Sequence, residues 1–329
     1  MPEVMVATPL NYAAVGQPYV FADGIAIREL SPILWDISIV KGYVSEKDRE
    51  DMAKTRYWLC ASEEYDFVYG DVGNELYAKA RNAAWALQVI CPSGAMHVFL
   101  KLQKTDKGYD NIGSSHPKAL LSTLLGRITS LEHQGLQQHF DAVYSGIQRA
   151  FTEKLVRLQN PILLIEHGMQ IGNANLGCLL FVMGLDMLFM AGDIDTFMKR
   201  LGGFLGLDSY IFPRIVNRQP NTTVRDVLNE LYDFRNIIAH GQEIPEKPYR
   251  QKSDLISTNR ERINYDDYYR AELMLESSLF MLTTTLRRIF VEGLFDQVKD
   301  PAKWRTNMKL YEHRYKEAGG PDAIKQRGR

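Results

Sequence analysis

A chain of 329 residues, 45% hydrophobic and 24% charged, holds enough apolar material for two folded domains and falls outside the compositions of disordered or fibrous chains. Its formal net charge of −1 excludes a global basic field, so any nucleic-acid site must be local. Three scattered cysteines, Cys60, Cys91 and Cys178, form no C-x-x-C pair; this argues against a disulfide framework or zinc knuckle and favours a reducing, cytoplasmic setting.

The first 16 residues lack the positive start and long apolar run of a signal peptide. Residues 1 to about 45 read as irregular or strand-rich, with β-branched and aromatic runs at 19–22 and 33–44 broken by Gly and Pro. Ser45 is placed to cap a polar helix over 45–61, and a second helix is expected over 72–90, ending before Pro92. Residues 95–103 alternate as a strand does, and 104–117 are rich enough in turn residues to predict a loop. From about 118 helical periodicity takes over, predicting helices over 130–157, 161–170, 174–191, 194–205, 223–240 and 265–294, with Pro161 separating the first two. The stretch 176–191 is the most apolar. It is shorter than the roughly 20 residues of a membrane span and is interrupted by Asp186, so it reads as a buried helix and no membrane partner is expected. Polar segments 214–222 and 242–264 read as loops. The expected fold is therefore mainly α: a mixed α/β N-terminal domain over 1–120, then a helical domain over 121–329.

Charge divides along the same line. Residues 1–150 carry 14 Lys and Arg against 17 Asp and Glu; residues 151–329 carry 25 against 23. From Lys299 onward nine cations face four acids. Such a run can hold phosphates, but the plainer expectation is a solvated, partly frayed basic tail.

The segment 222–245, TTVRDVLNELYDFRNIIAHGQEIP, carries the most chemistry. Thr222 or Thr223 can cap a helix whose first turn holds Asp226. Val227, Leu231, Phe234 and Ile238 fall on one apolar stripe; Asn229, Asp233, Asn236 and His240 fall on a polar stripe roughly opposite. Gly241 stops the helix, leaving His240 at its C-terminus, where the imidazolium is favoured. Arg235 lies about 140° around the axis from His240, an arrangement suited to a groove.

Arg235-Asn236-Ile237-Ile238-Ala239-His240 resembles the Arg-polar-x-x-x-His motif of HEPN domains, in the form with Asn after Arg and Ala before His that the ribonuclease branch carries. Residues 174–206 look like the paired helices upstream of that motif in Apea-like HEPN domains, with Leu185-Asp186-Met187-Leu188 matching a Leu-Glu-x-Leu pattern; Asp stands where Glu is common, one methylene shorter. The resemblance covers roughly 130–300. It implies an antiparallel helical bundle, a homodimer that pairs these helices, and a metal-independent endoribonuclease with no cofactor. Arg235 and His240 would be catalytic, Asn236 would orient the phosphate or His240, and Asp186 would fix Arg235. The implied substrate is RNA, tRNA included, and the implied role is a defence or toxin effector, with an activating ligand or protein acting through the N-terminal domain. The alternative is a non-catalytic HEPN dimer serving as an interaction module, in which His240 caps its own helix and Arg235 forms an interface ion pair.

Weaker signals read structurally. Asp193-Ile194-Asp195 suits a helix start better than a metal. His133 and His139 are six apart, a poor metal pair, and His116 sits in a predicted loop. The run 265–269, YDDYY, offers rings that could stack on bases, but its two acids favour packing. Phosphate-loop, nucleophile-elbow and zincin motifs are absent.

Overall fold

The structure, a computed structural model, describes residues 3–10, 13–14, 16–30, 33–34, 52, 55–64, 72–90, 92, 99–115, 129–130, 133–171, 173–210, 223–228, 231 and 266–320. The chain is mainly helical, with an antiparallel sheet near its N-terminus. It divides into two compact units, Met1–Gln148 and Arg149–Arg329.

The first unit is mixed α/β. Its strands are β1 (Glu3–Pro9), β2 (Ala13–Ala14), β3 (Tyr19–Val20), β4 (Ile25–Glu29), β5 (Ile33–Leu34), β6 (Tyr57–Glu64), β7 (Phe99–Thr105), β8 (Gly108–Ser115) and β9 (Thr129–Ser130). Seven of them make one sheet in the order β3-β4-β6-β1-β7-β8-β5, antiparallel except where β5 meets β8; β2 and β9 form a separate parallel pair. The central β1 buries both faces. Met5 and Ala7 lie in register with Leu102, Leu100 and Cys60, and this face closes over Trp58, Leu30 and Met52. Val4, Val6 and Thr8 point the other way. There, helix α1 (Val72–Ile90) brings Lys79 onto Glu63 and sets the Tyr77 ring edge-on to Phe99, centroids 5.3 Å apart.

Two expectations fail here. The helix predicted over 45–61 gives way to strand β6 over its last five positions; of its earlier part, Met52 is described as helical. A strand covered on both faces buries Tyr57, Trp58, Leu59, Cys60 and Ala61 in succession, which erases the alternation that would mark it. Of the loop predicted over 104–117, residues 104–115 are instead the end of β7, the turn of a β7–β8 hairpin and the whole of β8, and 116–117 lie outside the described residues: Thr105 pairs with Gly108, and only Asp106 and Lys107 turn the chain. Another turn, between β3 and β4, places Asp23 and Gly24 at positive φ (62° and 71°). The Gly24 carbonyl accepts from the Ser62 amide at 3.0 Å, and a Cβ on Gly24 would strike the Ser62 carbonyl. Helix α2 (His133–Thr152) stacks Phe140 on Phe21 of this turn, centroids 3.9 Å apart.

The second unit is helical: α3 (Val156–Gln170), α4 (Ala174–Phe189), α5 (Ile194–Leu205), α6 (Asp266–Val291), α7 (Phe295–Lys299) and α8 (Pro301–Glu317), with residues 224–228 helical between α5 and α6. The long helix predicted over 130–157 breaks at 153–155. Lys154 takes φ 53° while the Leu155 amide reaches back to the Ala150 carbonyl and that of Lys154 to Phe151, a Schellman stop built on a non-glycine. Pro161, expected to separate two helices, sits inside α3.

Helix α4 packs against α3 and α6, and small residues bring the backbones close: Gly168 faces the Phe181 ring, Gly177 faces Leu275 and Gly184 faces Leu282. The frayed tail expected after residue 299 is largely α8. Asp300 caps it by accepting from the amides of Ala302 and Lys303. Trp304, Met308, Tyr311 and Tyr315 recur along one buried stripe, and the Trp304 indole donates to the Leu188 carbonyl at 2.7 Å. Arginines close several helix ends: Arg200 donates to the carbonyls of Phe189 and Met190, Arg225 to those of Ala318 and Gly319, Arg157 to that of Val298 and Arg288 to that of Phe204.

Candidate functional site

Arg235, Asn236 and His240 lie outside the described residues, and with them Asn229, Asp233 and the rest of the predicted helix beyond Leu231. The described start of the segment follows its sequence. The amide and hydroxyl of Thr223 both donate to the Asp226 carboxylate at 2.8 Å, the backward half of a capping box. Val227 and Leu231, the first two members of the expected apolar stripe, are buried, as are Val224 and Leu228.

Asp186 is the single charged residue of α4 and is half-buried, with its Oδ1 sealed from solvent. Its position around the helix is informative. The buried face of α4 carries Gly177, Cys178, Phe181, Val182, Gly184, Leu185, Leu188 and Phe189. Leu176, Leu180, Met183 and Met187 recur at i, i+4, i+7 and i+11 on the opposite face, where Leu176 is 44% and Met183 38% exposed. Asp186 stands at the seam, roughly 90° from the centre of that exposed stripe. A carboxylate so placed needs a cation or several donors, because a half-desolvated charge is costly otherwise.

The weaker candidates resolve individually. Asp193 caps α5: its Oδ1 accepts from the Thr196 amide and its Oδ2 from the Thr196 hydroxyl, both at 2.8 Å. Asp195 pairs with Lys199 one turn on. The Thr196 amide holds the Asp193 carboxyl below its usual range, against a smaller opposing effect of burial. Its contribution is therefore present above the unfolded carboxylate range and is lost as pH falls through the lowered native value. Asp193→Ala is expected to cost about 1 kcal/mol at neutral pH. The gap from the parent should narrow as pH falls below the ordinary carboxylate range, which denaturant titrations at neutral and acid pH would measure.

Cys60 and Cys178 are fully buried, and burial pushes both thiols up to about 12, which makes them poor nucleophiles. Cys91 and His116 lie outside the described residues. His133 and His139 both fall on α2, and the described residues hold no cluster of three or more His, Cys, Asp or Glu side chains placed for a metal. Of 265–269, residues 266–269 begin α6; Tyr265 lies outside the described residues.

One polar group carried no sequence signal, because its members are spread over a hundred residues. On the Met5 face of the sheet, Arg28 pairs with Glu3 and donates to Ser62 Oγ at 3.1 Å, and Lys104 approaches Glu3 at 3.8 Å. Two cations share one acid there, and strand register is what assembles them.

Among the described residues no single helix is long and apolar enough to cross a membrane. No family model, curated protein or solved structure matches the chain.

Proposed function

We propose that the chain is a HEPN-type, metal-independent endoribonuclease acting as a homodimer. The observation that carries this reading is Asp186: one acid in an otherwise uncharged helix, half-buried beside an exposed apolar stripe. The motif Arg235-Asn236-x-x-x-His240 supplies a cation for such an acid, and the described residues 223–228 and 231 are capped and packed as the sequence pattern of this segment expects. The α4 stripe supports the dimer. It is uncharged, so a two-fold axis can lay it against its own copy without desolvating an ion.

The chemistry follows from the residue types. RNA contains its own nucleophile, the 2′-hydroxyl. One His240 takes the 2′-OH proton as the 2′-oxygen attacks phosphorus; the P–O5′ bond breaks and the His240 of the partner subunit donates a proton to the departing 5′-oxygen, leaving a 2′,3′-cyclic phosphate. An imidazole titrating near neutrality serves in either direction. Arg235 stays charged and holds two phosphate oxygens at once, countering the charge that grows on them. Asn236 orients the phosphate or the imidazole, and Asp186 fixes Arg235. The first unit regulates access, and tRNA is one structured substrate this groove would accept. A defence or toxin role, in which cleavage follows a signal received by that unit, fits this arrangement.

The test is incubation of the full chain with total RNA and with a tRNA pool in EDTA, beside His240→Ala. Discrete fragments ending in 2′,3′-cyclic phosphate, made by the parent alone, are expected. Residues 118–329 expressed separately remove the seven-stranded sheet of the first unit. If they dimerise and still leave RNA intact, the enzyme reading fails and a non-catalytic interaction module takes its place.

A further inference from the structure

The outer face of α8 belongs to no site described so far. Trp304, Met308, Tyr311 and Tyr315 fall within about 60° of one another and are buried, which commits that side of the helix to the core. Arg305, Lys309 and Lys316 fall within about 40° on the flank, all exposed, and span about 16 Å of helix. Neighbouring acids are engaged: Glu312 with Arg200 at 2.7 Å, Glu317 with His313 at 3.2 Å, and Asp300 with the helix N-terminus and Lys303.

Several other described cations of the second unit are placed differently. Arg149, Lys199, Arg200, Arg225, Arg288, Lys299 and Lys303 each meet a carboxylate. Among the described residues no acid lies within ion-pair distance of Arg305, Lys309 or Lys316. Arg157 of α3, which donates to the Val298 carbonyl, adds a further cation. Burial chiefly, and then the nearby Arg305 charge, lower its affinity for its proton. Like charges gathered on one face of a helix raise the local potential and leave it unanswered among the described residues.

We propose that this face of α8, with Arg157 at its edge, binds the phosphate backbone of single-stranded RNA. Cations spaced by whole turns along a straight helix suit a ligand with regularly repeated charge. The apolar stripe of α8 is spent on the core, and Leu310 is the one large apolar side chain the helix leaves exposed, too little to insert into a lipid surface. This inference names a docking track for the substrate of the proposed ribonuclease and rests on that reading for the choice of RNA.

The experiment measures binding of a labelled, mixed-sequence single-stranded oligoribonucleotide to the full chain in EDTA, on a His240→Ala background so that the RNA stays intact. Replacing Arg305, Lys309 and Lys316 together by alanine is expected to weaken binding at least about tenfold and to reduce the slope of log affinity against log salt by about 2, from roughly 0.7 per phosphate contact. These residues are exposed, so the folded state should persist; circular dichroism and the melting temperature check it. Unchanged affinity and slope in the triple variant would overturn the proposal, as would displacement of the RNA by polyglutamate at equal charge concentration, which would mark an acidic protein as the partner. The two readings fail separately. Binding that depends on α8 without cleavage by the His240-bearing chain removes the enzyme alone; cleavage at an unchanged kcat/KM in the triple variant removes the track alone.

Discussion

Gly203→Ala should be among the most damaging single-methyl additions to the second unit. At this point α5 lies so close to α8 that a Cβ on residue 203 would be driven into the Tyr311 carbonyl oxygen, which is backbone and cannot swing aside as a side chain would. Gly202 faces the Tyr315 ring in the same seam, so the helices have no slack on either side. Relief would require moving α8 outward, loosening Trp304 from the Leu188 carbonyl and Phe204 from Tyr311, whose rings meet edge to face at 5.1 Å. Overpacking of a core costs about 1–3 kcal/mol when side chains can adjust, so a clash with backbone belongs at about 3 kcal/mol or more. At roughly 2–4 °C per kcal/mol for a unit of this size, the melting temperature should fall by about 6–12 °C. Gly192→Ala is the matched control: nothing lies within 4 Å of the added atom, so its melting temperature should stay close to the parent's. A Gly203→Ala protein that melts with the Gly192→Ala control would show that α5 and α8 do not pack as described.

The helices of the second unit were legible where local signals coincide with helix ends. Asn173 accepts from the amides of Asn175 and Leu176, Asp193 caps α5, and α4 and α5 begin where those residues predict. The α2–α3 break was not legible. Lys154 adopts a left-handed conformation that glycine or asparagine would have announced, and Pro161, which looks like a breaker, lies within α3. Helix α8 was hidden by its charge. Cations dominate its composition, and only the Trp304-Met308-Tyr311-Tyr315 spacing records that it is packed. In the sheet the difficulty was long-range. That β6 lies between β4 and β1 depends on partners 28 to 61 residues distant, and a strand buried on both faces carries no period of its own.

The candidate site shows the same division. Asp186 stood out in the sequence because a charge amid apolar residues needs a reason, and the fold adds where it stands: beside an exposed apolar stripe that the linear pattern alone did not separate from the buried one. The unpaired cations of α8 were countable in the sequence as part of a basic run. Only the fold distinguishes Lys303, engaged with Asp300, from Arg305, Lys309 and Lys316, which share one face. A composition count weighs these cations equally; position on a packed helix does not.

A mixed dimer of His240→Ala and Arg235→Ala chains is expected to cut RNA faster than either parent dimer. Loss of a general acid or base commonly lowers a rate by about 10²–10⁴-fold, and removing both imidazoles of one cleft, or both guanidinium groups, should reach the upper part of that range. The mixed dimer restores one of each. If the cleft is built across a two-fold axis, Arg235 from one protomer and His240 from its partner face the same phosphate, and at least about tenfold of the loss should return. The remaining deficit is itself informative, because one imidazole cannot hold both protonation states at once and the second proton transfer falls to water. Co-expression under two tags with tandem purification isolates the mixed species, and rates in EDTA on a tRNA pool read the outcome. Each chain in that dimer lacks one member of its own pair, so sites confined to single chains would leave the mixture as inactive as its parents. That result, obtained with parent activity present in the unmutated chain, would keep a ribonuclease and remove the composite cleft. Failure of the two tagged chains to copurify would remove the dimer, and with it the function assigned to the exposed stripe of α4.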